Sequence, residues 1–305
     1  MRKLLLLLPA LLALLAAGCG RHEASGPQAL KVGVIPYDKV DVVKEDYGRF
    51  AAYLGKKTGR GDGEVFVTPE YAGVLTALRS DQIDCAFLNP LSYVLAVEEF
   101  RNTPEHLIPL AMPYFHNSLT YRGILYVRAD SGINSLKDLR GKSVAFNDRT
   151  STSGYLYPAG MMMHAGVDPN KDVRPVNISG TSGVLAVLNH QADAGAGYEG
   201  VIDRALANET TKKVDTAQAK QLKVLAYTEP IPNGMIVARG NLDPKTLDAL
   251  KQALVSVNSD PDGQAALAKI PWNKVVPPDD HLFDSVRDKA KILNLNLQSL
   301  DAPKH

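Results

Sequence analysis

A run of hydroxyl-bearing residues that ends in glycine lies mid-chain, between a strand-like and a helix-like segment. The run reads Asn147-Asp148-Arg149-Thr150-Ser151-Thr152-Ser153-Gly154. The first N–H groups of a helix lack partners within the helix, and the helix dipole favours negative charge there. The hydroxyls of Ser151, Thr152 and Ser153 can turn toward the oxygens of an anion, and Gly154 has no Cβ to block its approach. The pattern predicts an oxyanion site, and the alternative is an ordinary Ser/Thr helix cap.

Two further patterns could contribute to such a site. Gly180-Thr181-Ser182-Gly183 is a second hydroxyl-bearing turn before a helix-like segment, and Asn89 follows a buried strand at its carboxyl end. Asp193 lies in the middle of a small, glycine-rich strand. A carboxylate repels an oxyanion unless a proton lies between them, so Asp193 would select a protonated oxyanion. The alternative is a surface aspartate with no ligand role.

The elements that position these residues alternate between strands and helices, and the alternation starts again near residue 121. Strands are predicted over residues 30–36, 64–68, 83–88, 121–128, 143–146, 173–176, 192–196, 222–228 and 236–239. Helices are predicted over residues 47–58, 70–78, 91–100, 155–166, 184–190, within 243–268, and over 280–293. This order indicates an α/β fold with two lobes. Lobe 1 takes residues 30–115 and 229–305, lobe 2 takes 116–228, and the ligand is expected in the cleft between them.

The first residues have the pattern of an export signal. Arg2 and Lys3 precede an apolar run, 4–17, that is too short to span a membrane comfortably. Ala16-Ala17-Gly18-Cys19 resembles a bacterial lipobox, with alanine where leucine is usual. We therefore expect residues 1–18 to be a signal peptide, Cys19 to carry a lipid, and 19–29 to be a tether. A plain signal peptide cut nearby and an uncleaved anchor are the alternatives.

Composition excludes several classes of protein. The 305 residues carry a formal net charge of +1, without a basic block, which argues against nucleic-acid binding. Dinucleotide-binding, Walker, zinc and Gly-x-Ser-x-Gly patterns are absent, and no His/Asp/Glu cluster has the spacing of metal ligands. We therefore expect no cofactor and no metal.

With Cys19 lipidated, Cys85 is the remaining thiol, and its buried strand indicates a small core residue.

Several segments, in order over roughly residues 30–290, resemble PhnD-like substrate-binding lipoproteins of ABC importers for phosphonate, phosphite and phosphate. The most specific segment is Ser151-Thr152-Ser153-Gly154-Tyr155-Leu156-Tyr157-Pro158. The others are Pro69-Glu70-Tyr71-Ala72-Gly73-Val74, Asp84-Cys85-Ala86-Phe87-Leu88-Asn89-Pro90-Leu91-Ser92-Tyr93, Tyr121-Arg122, Asp138-Leu139-Arg140-Gly141-Lys142 and Gln191-Ala192-Asp193-Ala194-Gly195.

This resemblance implies a type II periplasmic-binding-protein fold that closes on its ligand. It implies a binding protein rather than an enzyme, which captures a small phosphorus oxyanion and delivers it to an ABC permease. It also implies that residues 151–153 hold the oxyanion, with hydroxyls from Tyr71 and Tyr121. The protein would be a monomer, exported and lipid-anchored, facing the periplasm or the cell exterior.

The sequence departs from the family pattern in two places. A histidine that members often carry is missing at Ser179-Gly180-Thr181-Ser182, so Thr181 or Ser182 is expected to take its place. No acid lies near Asn233-Gly234, which argues against a ligand with an ammonium group. The alternatives to an importer component are an exported phosphoester hydrolase, a protein of the same fold for a non-phosphorus anion, and a sensor that presents its ligand to a membrane receptor.

Overall fold

The computed structural model describes residues 28–104, 106–178, 180–207 and 214–295. Its strands are β1 (Lys31–Val34), β2 (Glu64–Phe66), β3 (Cys85–Leu88), β4 (Leu107–Phe115), β5 (Thr120–Tyr121), β6 (Gly123–Arg128), β7 (Ser143–Phe146), β8 (Arg174–Asn177), β9 (Ala194–Tyr198), β10 (Leu222–Tyr227), β11 (Ile231–Pro232), β12 (Met235–Arg239) and β13 (Trp272–Val276). Its helices are α1 (Val40–Lys57), α2 (Tyr71–Arg79), α3 (Pro90–Phe100), α4 (Tyr157–His164), α5 (Gly180–Leu188), α6 (Val201–Leu206), α7 (Thr216–Ala219), α8 (Pro244–Ser256), α9 (Pro261–Leu267) and α10 (Asp284–Ile292).

The strands form two main sheets, one for each lobe. The first has the spatial order β13-β4-β12-β3-β1-β2, and the second has the order β10-β6-β9-β7-β8. In the first sheet β1 runs parallel to β2 and β3, while β12 runs antiparallel to β3 and β4. In the second sheet β7 runs parallel to β8 and β9. The predicted α/β fold with two lobes is confirmed.

The chain crosses between the lobes twice, and the two crossings pair with each other. β5 and β11 form a short antiparallel ribbon in which Ile231 lies opposite Tyr121. Asn233 fastens this ribbon, because its side-chain amide donates to the Pro113 carbonyl at 2.9 Å and to the Ser118 carbonyl at 2.7 Å. Since the predicted lobe limits, 115/116 and 228/229, lie beside the ribbon, we keep them as our proposed boundaries.

Some element boundaries differ from the sequence prediction, and the reason is local capping. One helix was expected within residues 243–268, but two form, because Asp243-Pro244 and Asp260-Pro261 each supply a cap and a first-turn proline. A π-helical turn, Thr152–Leu156, begins within the hydroxyl run and continues as α4. π-helical turns inside helices are frequent at functional sites.

The apolar core continues from one lobe into the other. One cluster of buried residues joins Val74 and Leu78 of α2 with Val127 and Val144 of the second sheet. Cys85 is fully buried among apolar neighbours, which confirms its predicted core role. Burial raises the pKa of its thiol, so the group stays protonated. In the described part of the chain, no helix combines the length and the apolar character that crossing a membrane requires.

Candidate functional site

A cavity of about 250 Å³ lies between the lobes, at the carboxyl ends of the central strands. Lobe 1, lobe 2 and the crossing ribbon all contribute to its wall. Six of the ten predicted ligand-binding residues line it, namely Tyr71, Asn89, Tyr121, Ser151, Thr152 and Ser153. Tyr71 and Asn89 belong to lobe 1 and residues 151–153 to lobe 2, so the closed arrangement of the two lobes brings them together.

Residues 150–154 of the hydroxyl run are buried, and the run is held by hydrogen bonds within itself and to lobe 1. The Ser151 hydroxyl accepts a hydrogen bond from the Gly154 N–H at 3.2 Å, as a helix cap does. The Thr152 hydroxyl accepts from the Leu91 N–H of α3 at 2.9 Å. A hydroxyl that accepts one hydrogen bond keeps its own proton free to donate. The cap and the oxyanion interpretations are therefore compatible, because Ser151 caps the turn and also faces the cavity.

Two tyrosine hydroxyls point toward the same run. Burial raises the pKa of Tyr71, the Asp148 carboxylate raises it further, and hydrogen bonding with Ser151 lowers it in part. Burial likewise raises the pKa of Tyr121, against the effect of hydrogen bonding with Ser153. Both pKa values lie above the usual value near 10, so both hydroxyls remain neutral proton donors at physiological pH.

Few charged groups line this cavity. His116 and Glu199 are exposed residues of the lining. The guanidinium group of Arg204 is committed to two carboxylates, Asp38 Oδ2 at 3.0 Å and Asp46 Oδ2 at 2.7 Å. In the described part of the chain, no group of three or more His, Cys, Asp or Glu side chains is arranged to hold a metal ion. An anion in this cavity would therefore meet mainly neutral hydrogen-bond donors.

Hydrogen bonds across the cleft show that the lobes are closed. Near the hydroxyl run, the Asn89 amide donates to the Thr150 carbonyl at 3.1 Å, and the Tyr71 N–H donates to Asp148 Oδ2 at 3.4 Å. On the other side of the cleft, Arg204 of lobe 2 bridges Asp38 and Asp46 of lobe 1, as described above. We call these last three residues the Arg204 latch.

Thr181 and Ser182 do not reach the cavity, contrary to expectation. The Thr181 hydroxyl donates to Asp38 Oδ1 at 3.0 Å, and Ser182 lies within the first turn of α5. The reason is that α5 begins at Gly180, four residues earlier than predicted, so the expected turn is helical. Gly180 has φ +58°, and a Cβ there would lie 2.7 Å from the Tyr37 carbonyl oxygen of lobe 1. This turn therefore takes part in closure, and we leave its hydroxyls out of the proposed site.

Asp193 also lies away from the cavity, which corrects the prediction that it selects a protonated ligand. It precedes β9, and its carboxylate Oδ2 accepts hydrogen bonds from the Ser143 N–H at 2.8 Å and from the Ser143 hydroxyl at 2.7 Å. Ser143 opens β7, so this pair lies at the amino end of the sheet, opposite the cleft. The strand starts at Ala194 rather than at 192, which moves Asp193 from the predicted strand centre to its edge.

We expect Asp193→Asn to leave ligand affinity unchanged within twofold and to lower the free energy of unfolding by about 1 kcal/mol at pH 7. Burial raises the pKa of Asp193, but hydrogen bonds from Ser143 outweigh burial and hold it below its usual value. A lowered pKa stabilises the fold above about pH 4, the usual Asp value, and this stabilisation is lost as the pH falls through the lowered pKa. Urea unfolding of both proteins at pH 7 and at pH 3 tests this pH dependence. We expect Asp193→Asn to lose less stability at pH 3 than at pH 7, and an equal loss at both pH values would contradict the prediction.

Asn89 and Gly154 line or flank the cavity in supporting roles. Asn89 caps α3 by accepting from the Ser92 N–H at 2.7 Å, while its amide N–H groups hold the Thr150 carbonyl. A Cβ on Gly154 would lie 2.5 Å from Cγ of Asn147. The glycine is therefore needed for the fit against Asn147, whereas the sequence pattern predicts a role in ligand approach.

Several residues of the site were not predicted. Asn147 lines the cavity, and its side-chain oxygen accepts from the Gly180 N–H at 3.3 Å. Arg204 carries no motif, and its acidic partners lie 158 and 166 positions away. Asn147 had a usable signal, since it directly follows a central strand at the end where ligands bind. The sequence has no signal for Arg204.

Comparison with known proteins places the chain in a family. A family described as "ABC transporter, phosphonate, periplasmic substrate-binding protein" matches residues 32–283. A phosphate-import protein from Mycolicibacterium smegmatis is 30% identical over 259 residues, which cover 79% of this chain and 78% of that protein. A phosphonates-binding periplasmic protein from Escherichia coli is 28% identical over 257 residues, with coverage of 82% and 72%.

Solved structures show the same fold. A binding-protein component of a phosphonate ABC transporter from Pseudomonas aeruginosa superposes with a TM-score of 0.77 at 26% identity, covering 90% of this chain and 88% of that one. PhnD1 of Prochlorococcus marinus in complex with methylphosphonate gives a TM-score of 0.73 at 22% identity, covering 88% and 99%. These likenesses confirm the predicted periplasmic-binding-protein fold.

Proposed function

The chain belongs to the family of periplasmic substrate-binding proteins of phosphonate ABC transporters, and on this premise we propose that it captures a small phosphorus oxyanion between its lobes and delivers it to a membrane permease. Members of this family are transport components and not enzymes, so the chain acts by binding and release. Family membership also implies export to the periplasm.

One observation carries the proposal, namely that five hydroxyl-bearing residues from both lobes and the crossing ribbon line one cavity between the lobes. We propose as ligand contacts Tyr71, Tyr121, Ser151, Thr152 and Ser153, with Asn147 beside them. A hydrogen bond to a charged partner contributes about 1.5–3 kcal/mol, so four or five supply about 6–15 kcal/mol, and most of that range exceeds the roughly 8 kcal/mol of a micromolar complex. The surplus can offset desolvation of the anion.

The neutral hydroxyl donors of the proposed site determine how ligand affinity changes with pH. Because burial raises the pKa of Tyr71 and of Tyr121 above the usual tyrosine value, both hydroxyls stay protonated between pH 6 and 9. With Asp193 far from the cleft, no carboxylate of the proposed contacts favours a protonated ligand. We therefore expect methylphosphonate affinity to hold steady or rise as the ligand loses its last proton.

Titration calorimetry on the ligand-free protein at pH 6 and pH 8.5 tests both the binding of a phosphorus oxyanion and the expected pH dependence of its affinity. The ligands are phosphite, phosphate, methylphosphonate and 2-aminoethylphosphonate, with sulfate as the non-phosphorus control. We expect at least one phosphorus oxyanion to bind at micromolar concentration or below, and sulfate to bind at least tenfold more weakly. Tighter binding of sulfate than of every phosphorus ligand, or turnover of a phosphoester with or without divalent metal, would count against the proposal.

We also propose that residues 1–18 are removed as a signal peptide and that Cys19 carries a lipid that anchors a monomer to the membrane. These residues lie outside the described part of the chain, and the support is the run of small residues before cysteine. Cys19→Ser should move the protein from the detergent phase to the aqueous phase in a bacterial host. Equal partitioning of both forms would exclude the anchor.

A further inference from the structure

The hydroxyl groups account for only part of the cavity wall. Lobe 1 adds a second part, which consists of the rings of Phe87, Phe115 and Trp272 and is joined to Tyr121 through Phe115. The cavity holds about 250 Å³, whereas a water molecule takes roughly 30 Å³ in the liquid. An oxyanion of five heavy atoms would therefore leave much of this cavity unfilled.

The rings of Phe87 and Trp272 pack against each other and against Tyr47, and Phe115 packs against the same apolar cluster. The ring centroids of Phe87 and Trp272 lie 4.9 Å apart at 67°, and those of Tyr47 and Trp272 lie 5.4 Å apart at 80°. Tyr47 and Phe87 are nearly parallel, with centroids 6.1 Å apart. All four of these aromatic residues line the cavity. We call Tyr47, Phe87, Phe115 and Trp272 the aromatic wall.

The charges around the aromatic wall do not suit a cationic substituent. The cation of Arg204 lies over the Tyr37 ring, 5.5 Å from its centroid, beside the wall. The carboxylates of Asp38 and Asp46 are already paired with that cation. Glu199 lines the cavity but is exposed. An ammonium group placed against the wall would lose part of its hydration. The lining offers it one carboxylate among the described residues, Glu199, and because that residue is exposed the pair would be screened by solvent and contribute little.

Resting on the proposed function, we propose that the preferred ligand is a phosphonate whose organic substituent is uncharged and apolar, an alkyl or aryl group that packs on the aromatic wall. The hydroxyls of residues 151–153 hold the phosphonate oxygens, and the wall removes the substituent from water. Free phosphate and phosphite lack that substituent, and 2-aminoethylphosphonate carries a charge on it.

A ligand series on the unaltered protein tests the proposal by calorimetry. Each methylene moved from water into an apolar site contributes about 0.8 kcal/mol, or roughly fourfold in affinity. We expect propylphosphonate and phenylphosphonate to bind at least tenfold more tightly than methylphosphonate. The sharpest comparison is propylphosphonate with 2-aminoethylphosphonate, because the two differ by a methyl for an ammonium group. The second ligand should bind at least tenfold more weakly.

A matched pair of variants tests whether the apolar substituent contacts the aromatic wall. Phe115 lines the cavity, whereas its neighbour Tyr114 on β4 is also half-buried and lies outside the lining. Phe115→Ala should weaken phenylphosphonate at least tenfold and methylphosphonate by less than threefold. Tyr114→Ala should weaken neither by more than twofold.

The outcomes separate this inference from the proposed function. If methylphosphonate binds but the longer ligands gain nothing, or if 2-aminoethylphosphonate matches propylphosphonate, the preference for an apolar substituent is wrong and the proposed function stands. If Phe115→Ala weakens every ligand equally, the wall does not contact the substituent and the inference fails. If no phosphonate binds at all, both proposals fail.

Discussion

Thr152→Val is expected to weaken methylphosphonate binding at least fiftyfold while the protein stays folded. The substitution keeps the shape of the side chain and removes only the hydroxyl. The lost hydrogen bond to a charged ligand accounts for about 1.5–3 kcal/mol. In addition, the Leu91 N–H, which now donates to this hydroxyl at 2.9 Å, loses its acceptor in the closed form. A buried donor without a partner costs about 1–3 kcal/mol more.

The cost of the unpaired Leu91 N–H applies only when the lobes are closed, because water reaches this N–H when they separate. Calorimetry gives the affinity, and thermal unfolding without ligand should change by no more than a few degrees. Ser182→Ala is the matched control, since it removes a hydroxyl from a turn near the cleft that does not line the cavity. Similar affinities for wild type and Thr152→Val, or an equal loss in both variants, would show that the Thr152 hydroxyl does not hold the ligand.

Arg204→Leu is expected to weaken ligand binding 10- to 100-fold by making closure unfavourable. In the closed form the guanidinium group bridges Asp38 and Asp46, whose side chains are only 5% and 16% exposed. The Thr181 hydroxyl and the Tyr37 hydroxyl donate to the same two carboxylates. Removing one partner of a buried ion pair costs about 3–5 kcal/mol. Separation of the lobes would let water reach both carboxylates, so the substitution destabilises the open form less than the closed form.

The Arg239→Leu variant is a close control for the latch. Arg239 also pairs with two aspartates, Asp81 at 3.4 Å and Asp84 at 3.3 Å, but all three lie in lobe 1. Its loss should lower the free energy of unfolding and leave affinity unchanged within threefold. Small-angle scattering with and without ligand then measures closure directly. A normal affinity in Arg204→Leu, or an equal affinity loss in Arg239→Leu, would mean that the Arg204 latch does not control closure.

The fold and the place of the hydroxyl run could be predicted from the sequence, because both depend on residues that are close together in the chain. The alternation of strands and helices gives the two α/β lobes, because burial on sheet faces imposes that order wherever it occurs. The hydroxyl run at 151–153 follows a strand and starts a helix, and these neighbours within the sequence are enough to place it at the carboxyl end of the sheet. Its contact with a ligand remains a prediction.

Small errors in element boundaries explain what failed. Asp193 was placed inside a strand that begins two residues earlier than the observed β9, and that shift moves the carboxylate to the opposite end of the sheet from the cleft. Thr181 was expected in a loop, but α5 already starts at Gly180 and turns its hydroxyl toward Asp38. Boundaries depend on capping and packing, which the hydrophobic pattern specifies only to within a few residues.

By itself the sequence determined the class of fold, the family and the location of the neutral donors, since each follows from residues that are neighbours in the chain. Only the tertiary structure decided which donors share a cavity, that Arg204 meets Asp38 and Asp46 across the cleft, and that aromatic rings complete the wall. These contacts join residues more than 150 positions apart in the case of the latch. Their formation depends on the closure of two lobes, and no local pattern encodes which side chains then meet.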